Sequence, residues 1–536
     1  MRKLPRPAPS IRRRTLLVAA VFAFLLFAGW AAAALYSFGS TDSSISPNRN
    51  NCGNGFKNVS ILTSPKAGTL NTANGGKVEG YFDGTGAGSG TQAVRMIVYA
   101  IDANNAPQAL LGVSAQQIIS AGAPAQWRSF SFPSSIAIPA GKIGVGYWCG
   151  GPTSNLIRPF WDSNPGTLKY NTNTYSSTGN PSNPFGTAST VNQAYVVRVT
   201  ADDGTPVQFG VSENIPYLSD ANRVTVLNSM QAMKSKLVRF DFAWSVIEPT
   251  PGAFNVTNLD TSVSEAQARG QQVVAMIGYA PSWANGGHSD DKYPPVNASD
   301  YGNIAGRIAA HFGPMGVHVY EIWNEPNLGH VFWKTGADPA KYAQLLQAAY
   351  PAIKAADPQA TVLAGATAFV GAYNDGHCDG TIDGGIEVVN GINDENAINF
   401  MQGVYANGGG PYFDAWSHHP YDGGVNNWTG LCSGWAQMWS NSPSLRSTMD
   451  SEGDHAKKIW ATEYGNKLTN PPCGGWSSEQ DQADRLTNAM NRWKGQPDLG
   501  PLIMFNQWDS SGDCFGVLSP TFVQRPAWSA FQTGAG

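Results

Sequence analysis

From Val207 to the C-terminus the sequence keeps returning to one alternation: a short β-forming run, then a stretch with apolar residues three and four positions apart. The runs predict strands over residues 207–212, 237–244, 272–279, 318–324, 361–366, 413–419, 459–463 and 502–508. Helical spacing between them is clearest over 339–356 and 479–493. Eight such units in about 330 residues predict a (β/α)8 barrel over 204–536, with its functional groups at the C-terminal ends of the strands.

Two of these strands end on a glutamate. Tyr320-Glu321-Ile322-Trp323-Asn324-Glu325-Pro326-Asn327 begins as a strand and stops at Pro326, which cannot donate to a ladder and disfavours helix in the residue before it. Lys458-Ile459-Trp460-Ala461-Thr462-Glu463-Tyr464-Gly465 places Glu463 in the same way, 138 positions later. Two carboxylates at the rims of separate strands are what glycosidic bond cleavage needs, one to donate a proton and one to attack. Either motif alone could be a strand-ending turn or a surface acid. Their joint occurrence on strands four and seven of eight argues against that.

The chain ahead of the barrel has a different texture. Residues 1–14 hold six basic side chains and no acid, and 15–35 hold no charge. Residues 1–36 are therefore expected to be a basic tail and a transmembrane anchor. A cleaved signal peptide is the alternative, since small residues occupy 31–34. The paired arginines before Thr15 also permit a twin-arginine signal. Each reading exports the rest of the chain and places the protein outside the cell or on its surface. Residues 37–51 are expected to be a linker. Over 52–203, short apolar runs between Gly, Asn, Pro and Ser clusters predict an all-β sandwich. Its tryptophans Trp127, Trp148 and Trp161 would stack on carbohydrate or simply fill the core. With 34 basic against 38 acidic residues, and no basic run beyond the N-terminus, nucleic acid is not expected as a partner.

The YEIWNEPN stretch, with a second glutamate in Ala461-Thr462-Glu463-Tyr464-Gly465, resembles clan A glycoside hydrolases, in particular families 5 and 39. The resemblance covers residues 206–533. It implies a cellulase-like TIM barrel that hydrolyses a polysaccharide or oligosaccharide with retention. It further implies that Glu325 is the general acid/base, Glu463 the nucleophile, and Asn324 the group that holds the sugar 2-hydroxyl. Arg239 resembles the arginine beside the nucleophile, His419 and Tyr421 the clan's His-x-Tyr pair, and Trp508 an aromatic floor under the sugar. Two other readings suit the same residues. One is a non-catalytic glycan-binding protein of the cell envelope, and the other is a transglycosylase.

Further expectations concern neighbouring groups. Glu321 shares the strand parity of Glu325, so it is expected in the barrel interior with Arg239 as its partner. Glu248 is expected to cap a turn, and His418 is compatible with either face. The βα loops carry Trp283, Trp333, Trp428, Trp435, Trp439 and Trp476, of which several, Trp283 foremost, are expected to line a substrate cleft. Asp375, His377, Asp379 and Asp383 show no firm ligand spacing, so neither a metal nor a cofactor is expected. A monomer is expected. Cys378, Cys432, Cys473 and Cys514 follow strands five to eight, and neighbouring strands bring neighbouring loops together. The expected pairs are Cys378–Cys432, Cys473–Cys514 and, in the sandwich, Cys52–Cys149.

Overall fold

A computed structural model describes residues 33–40, 48–70, 76–162, 167–370, 386–421, 433–454, 456–469, 473–496, 498–510 and 512–536. Its C-terminal part is a closed barrel of parallel strands. These are β1 (Phe209–Ser212), β2 (Leu237–Ala243), β3 (Gln272–Gly278), β4 (Val319–Ile322), β5 (Thr361–Ala368), β6 (Ala415–His419), β7 (Ile459–Ala461) and β8 (Leu499–Phe505). β1 also pairs with β8 in parallel register, which closes the ring. The outer helices follow in turn: α1 (Asp220–Ala232), α2 (Thr257–Gln267), α3 (Ala298–Phe312), α4 (Pro339–Ala356), α5 (Ala397–Ala406), α6 (Leu445–Ser451), α7 (Glu479–Lys494) and α8 (Pro526–Ala535). Capping is visible in the sequence. Ser478 and Asp481 form a reciprocal capping box that starts α7, and Asp338 accepts from the Lys341 amide to start α4.

Strand parity decides which side chains reach the barrel mouth. Leu237, Val274, Leu363, Ala415 and Ile503 pack together as one interior layer, with Val319 and Trp460 against it. Side chains two positions further along each strand must also point inward. That rule sends Arg239 and then Asp241 inward from β2, Glu321 from β4, Ser417 and then His419 from β6, and Phe505 from β8. β4 ends at Ile322, two residues before its expected end, because Trp323 turns out of the strand with φ 67°.

Ahead of the barrel, two antiparallel sheets form a sandwich. One contains Lys77–Asp83, Val197–Pro206 and Ala33–Gly39, and the other Phe56–Ser64, Gly141–Gly150 and Thr91–Ile101. Val94, Met96, Val98, Val145 and Tyr147 of the second sheet meet Val78, Phe82, Val197 and Val199 of the first. The strand Ala33–Gly39 pairs with Val197–Pro206, so the ends of the expected anchor and of the expected linker overlap an edge strand. The remainder of the anchor lies outside the described residues. Among those described, no helix is long and apolar enough to cross a membrane. Trp148 is fully buried and offers no stacking face. Trp127 is covered by the Arg198 guanidinium, 4.3 Å from its ring, and Trp161 packs at the margin of the core.

Disulfides join Cys52 to Cys149 and Cys473 to Cys514, as expected, and such bonds fit an extracellular protein. Cys378 and Cys432 lie outside the described residues, as do Trp428 and the Asp375–Asp383 acids. The Cys473–Cys514 bridge spans 41 residues, which limits its entropic stabilisation to about 4 kcal/mol. Replacing both cysteines by serine is expected to lower the urea midpoint and to raise the slope, because the unfolded chain loses its cross-link and exposes more surface. An unchanged midpoint would show that the bridge contributes nothing.

Candidate active site

The turn after β4 carries the first glutamate in an unusual backbone. Trp323 and Glu325 both have positive φ, 67° and 44°, which costs a non-glycine residue on the order of 1–3 kcal/mol. The surroundings impose it. Trp323 is wholly buried and donates from Nε1 to the Phe332 carbonyl at 2.7 Å, and its amide donates to Ile277 at 2.9 Å. Asn327, also wholly buried, donates to the carbonyls of Ala368 and Glu395 and accepts from the Ala368 amide. The motif's last asparagine is thus a clamp that ties this turn to β5. Sequence reading assigned it no role, although an asparagine after a proline turn is a common backbone-bonding signal.

Arg239 organises the floor of the site. Nε donates to Glu321 at 2.6 Å, one terminal nitrogen to Glu463 at 2.7 Å, and the other to Asn324 at 2.7 Å. Ser212 Oγ lies 3.3 Å from the nitrogen that serves Glu463. Glu321 is fully buried in the barrel interior with Arg239 as its partner. Tyr421 donates its hydroxyl to the second Glu463 oxygen at 2.9 Å. His419 Nδ1 is hydrogen-bonded with Glu325 at 2.7 Å and lies 3.6 Å from Glu463, while its Nε2 meets Thr462 Oγ1 at 3.2 Å. One oxygen of each glutamate and a ring nitrogen of His419 all lie within 4.8 Å of one another.

The two carboxyls are pushed in opposite directions. Burial raises Glu463, but His419, Arg239 and the Tyr421 hydroxyl outweigh it and hold the carboxyl below the ordinary glutamate value. At Glu325, burial prevails over the His419 hydrogen bond and holds the carboxyl above that value. His418 points the other way along β6. Burial and the neighbouring His419 push it down to about 3, and its ring bridges Thr367 Oγ1 and the Gly434 carbonyl. It is a neutral packing residue.

The structure brings Glu325, Glu463, Asn324, Arg239, His419 and Tyr421 into one cluster. Two expected contributors lie apart. Trp508 sits three residues past β8 with its ring stacked on Phe522 at 4.5 Å and its Nε1 turned to the Pro520 carbonyl. The aromatic with interior parity at the barrel mouth is instead Phe505, which meets Phe515, which in turn meets Tyr421. Trp283 is partly exposed, but its bonds run to the β2–α2 loop: Nε1 donates to the Glu248 carbonyl at 3.0 Å and the ring abuts Trp244. Trp333 and Trp435 are buried core, whereas Trp476 is exposed beside Phe515. Glu248 accepts from Trp244, Gly252 and Arg307, a structural knot beyond the simple turn cap that was expected.

A family model described as cellulase (glycosyl hydrolase family 5) matches residues 200–494, which is 295 of the 536 residues. No curated protein matches the sequence. Among solved structures, a family 39 glycoside hydrolase from the gut symbiont Bacteroides cellulosilyticus is similar at 17% identity. The match covers 85% of this chain and 80% of that one, with a TM-score of 0.44. A family 39 β-xylosidase from Caulobacter crescentus is similar at 16% identity over 61% of this chain and 70% of its own, with a TM-score of 0.44. A GH5_18 protein from Streptomyces cattleya, solved with GlcNAc, is similar at 15% identity over 61% and 79%, with a TM-score of 0.43.

Proposed function

We propose, for a chain that belongs to glycosyl hydrolase family 5 and is therefore a retaining glycosidase, that it cleaves a polysaccharide or oligosaccharide by double displacement through Glu463 and Glu325. The observation that carries this reading is the opposite displacement of two carboxyls whose oxygens lie within 4.8 Å.

Glu463, kept ionised by His419, Arg239 and Tyr421, attacks the anomeric carbon. Glu325, kept protonated by burial, gives its proton to the leaving oxygen. A covalent glycosyl-enzyme forms and the aglycone departs. Glu325, now a carboxylate, takes a proton from water as that water attacks the same carbon, and Glu463 leaves. Asn324, its side-chain oxygen fixed by Arg239, presents its amide nitrogen to the sugar 2-hydroxyl, and Phe505 lies under the ring. A sugar hydroxyl in place of water would give transglycosylation by the same steps.

The test is the pH dependence of kcat/KM. Activity needs Glu463 deprotonated, so the acidic limb is expected below the ordinary glutamate range, where activity is lost as pH falls. It needs Glu325 protonated, so the basic limb is expected above that range, with activity lost as pH rises. The two limbs report the coupled pair together. Glu325→Gln should abolish the basic limb on an aryl glycoside with an acidic leaving group. A basic limb that persists unchanged in that variant would remove Glu325 from the role of acid.

A further inference from the structure

Thr462 follows β7 directly, and Trp460, two positions earlier, packs against the interior layer, so the threonine hydroxyl points into the barrel. It is wholly buried and meets one partner among the described residues, Nε2 of His419 at 3.2 Å. The other ring nitrogen, Nδ1, lies 2.7 Å from Oε1 of Glu325. Oε2 of Glu325 meets no group among the described residues, and with the side chain 12% exposed it is the oxygen open to a ligand. His419 is itself fully buried, and charge reaches it from three strands: Glu463 after β7, Glu325 after β4 and Arg239 on β2. Burial draws the ring down, but the two glutamates outweigh it against Arg239 and hold His419 above the ordinary histidine value. The adjacent His418 faces Thr367 and Gly434, and the Tyr421 hydroxyl is committed to Glu463.

In its acid form the Glu325–His419 pair holds two protons, and three placements are open to them. They can sit on Oε2 and Nδ1, on Oε1 and Nε2, or both on the ring beside a Glu325 carboxylate. Only the first leaves Nε2 a bare acceptor. The Thr462 hydroxyl carries one hydrogen, and Nε2 is its one acceptor among the described residues. A proton on Nε2 would therefore strand that hydrogen in a buried place, at the full cost of an unpaired donor. We propose that Thr462 is a positioning residue for the acid/base: its hydroxyl donates to His419 Nε2, fixes the ring as the Nδ1–H tautomer and so confines the acid proton to Glu325 Oε2. Nδ1–H donates to Oε1 before and after that proton leaves, so one bond holds the carboxyl in both displacements and stabilises the carboxylate that later acts as base. The proton passes from Oε2 to the leaving oxygen and returns to Oε2 from water. Thr462 also opposes the second ring proton that the two glutamates favour, which keeps the proton on the acid. This inference rests on the double-displacement reading of Glu325.

Nitrogen-15 NMR of the full chain labelled at its histidines reads the tautomer directly, the His419 signals being located by their loss in His419→Gln. At neutral pH Nδ1 should be protonated and Nε2 bare. A proton on Nε2, in a neutral ring or an imidazolium, would overturn the proposal. The signals belong to the resting protein, so they decide the tautomer whether or not Glu325 proves to be the acid, which its own pH profile decides. Thr462→Val keeps the side-chain shape without the hydroxyl, and Thr462→Ser keeps the donor. Thr462→Val is expected to lose about 10-fold or more in kcat/KM on a glycoside with an alcohol leaving group, which needs the proton. On a dinitrophenyl glycoside, which does not, it should lose less than about threefold. Its Nε2 should become partly protonated. Thr462→Ser should stay within about threefold of the wild type on both substrates, with Nε2 still bare. Equal losses on both substrates in Thr462→Val, or no loss on either, would overturn the positioning role.

Discussion

Glu463→Ala is expected to lower kcat by at least about 10⁴-fold on every substrate, however good the leaving group, because no other group is placed to attack the anomeric carbon. Glu325→Ala should behave differently. On the natural glycan it is expected to lose about 10²–10⁴-fold, the usual contribution of a positioned acid. With a dinitrophenyl leaving group, which departs without a proton, the first step should run near the wild-type rate and the glycosyl-enzyme should accumulate. Azide needs no general base, so adding it should restore turnover in Glu325→Ala through the glycosyl-enzyme, whereas in Glu463→Ala azide can act only in place of the missing carboxylate, by one inverting displacement. From a β-glycoside the product should be the β-azide, since two displacements restore the configuration. An α-azide from Glu325→Ala, or a β-azide from Glu463→Ala, would exchange the two roles.

The barrel was legible because its strands carry β-branched and aromatic residues in short runs, and because parity along each run can be counted. Glu321 follows from that count, Arg239 and His419 from the resemblance, and the structure places all three inside. The count could not supply where a strand stops. β8 ends at Phe505, three residues before the expected end at Trp508. The indole looked like the mouth-facing aromatic, although the chain has already left the barrel there and seats its ring on Phe522. Thr462 went unassigned for a different reason. In Ala-Thr-Glu-Tyr the glutamate drew the functional reading, and only the fold brings the His419 ring of β6 against the threonine hydroxyl. The sandwich tryptophans carry no sequence mark separating a core indole from a surface one. Burial of Trp148 and the Arg198 cover on Trp127 emerge only when sheets are stacked.

Arg239 is expected to give the largest stability effect of any single change in the site. Its side chain is 3% exposed and that of Glu321 is 0% exposed, so the pair exists without water to compensate either charge. Arg239→Met keeps most of the side-chain volume but leaves Glu321 buried opposite a thioether. Breaking a buried ion pair in this way costs about 3–5 kcal/mol, measurable as a lower urea midpoint. Adding Glu321→Gln removes the stranded charge, and the double variant should recover most of that stability. Activity should not return with it. Glu463 still lacks the cation that helps keep it ionised, and Asn324 lacks the donor that orients its amide, so kcat/KM should stay about 10²–10³-fold down in both variants. The acidic limb of the pH profile should also move up toward the ordinary glutamate range, because one of the groups that depress Glu463 is gone. Urea midpoints and pH profiles of the two single variants and the double variant decide the matter. A stable Arg239→Met protein would contradict the buried pair, and a double variant with restored activity would show that Arg239 serves the fold alone.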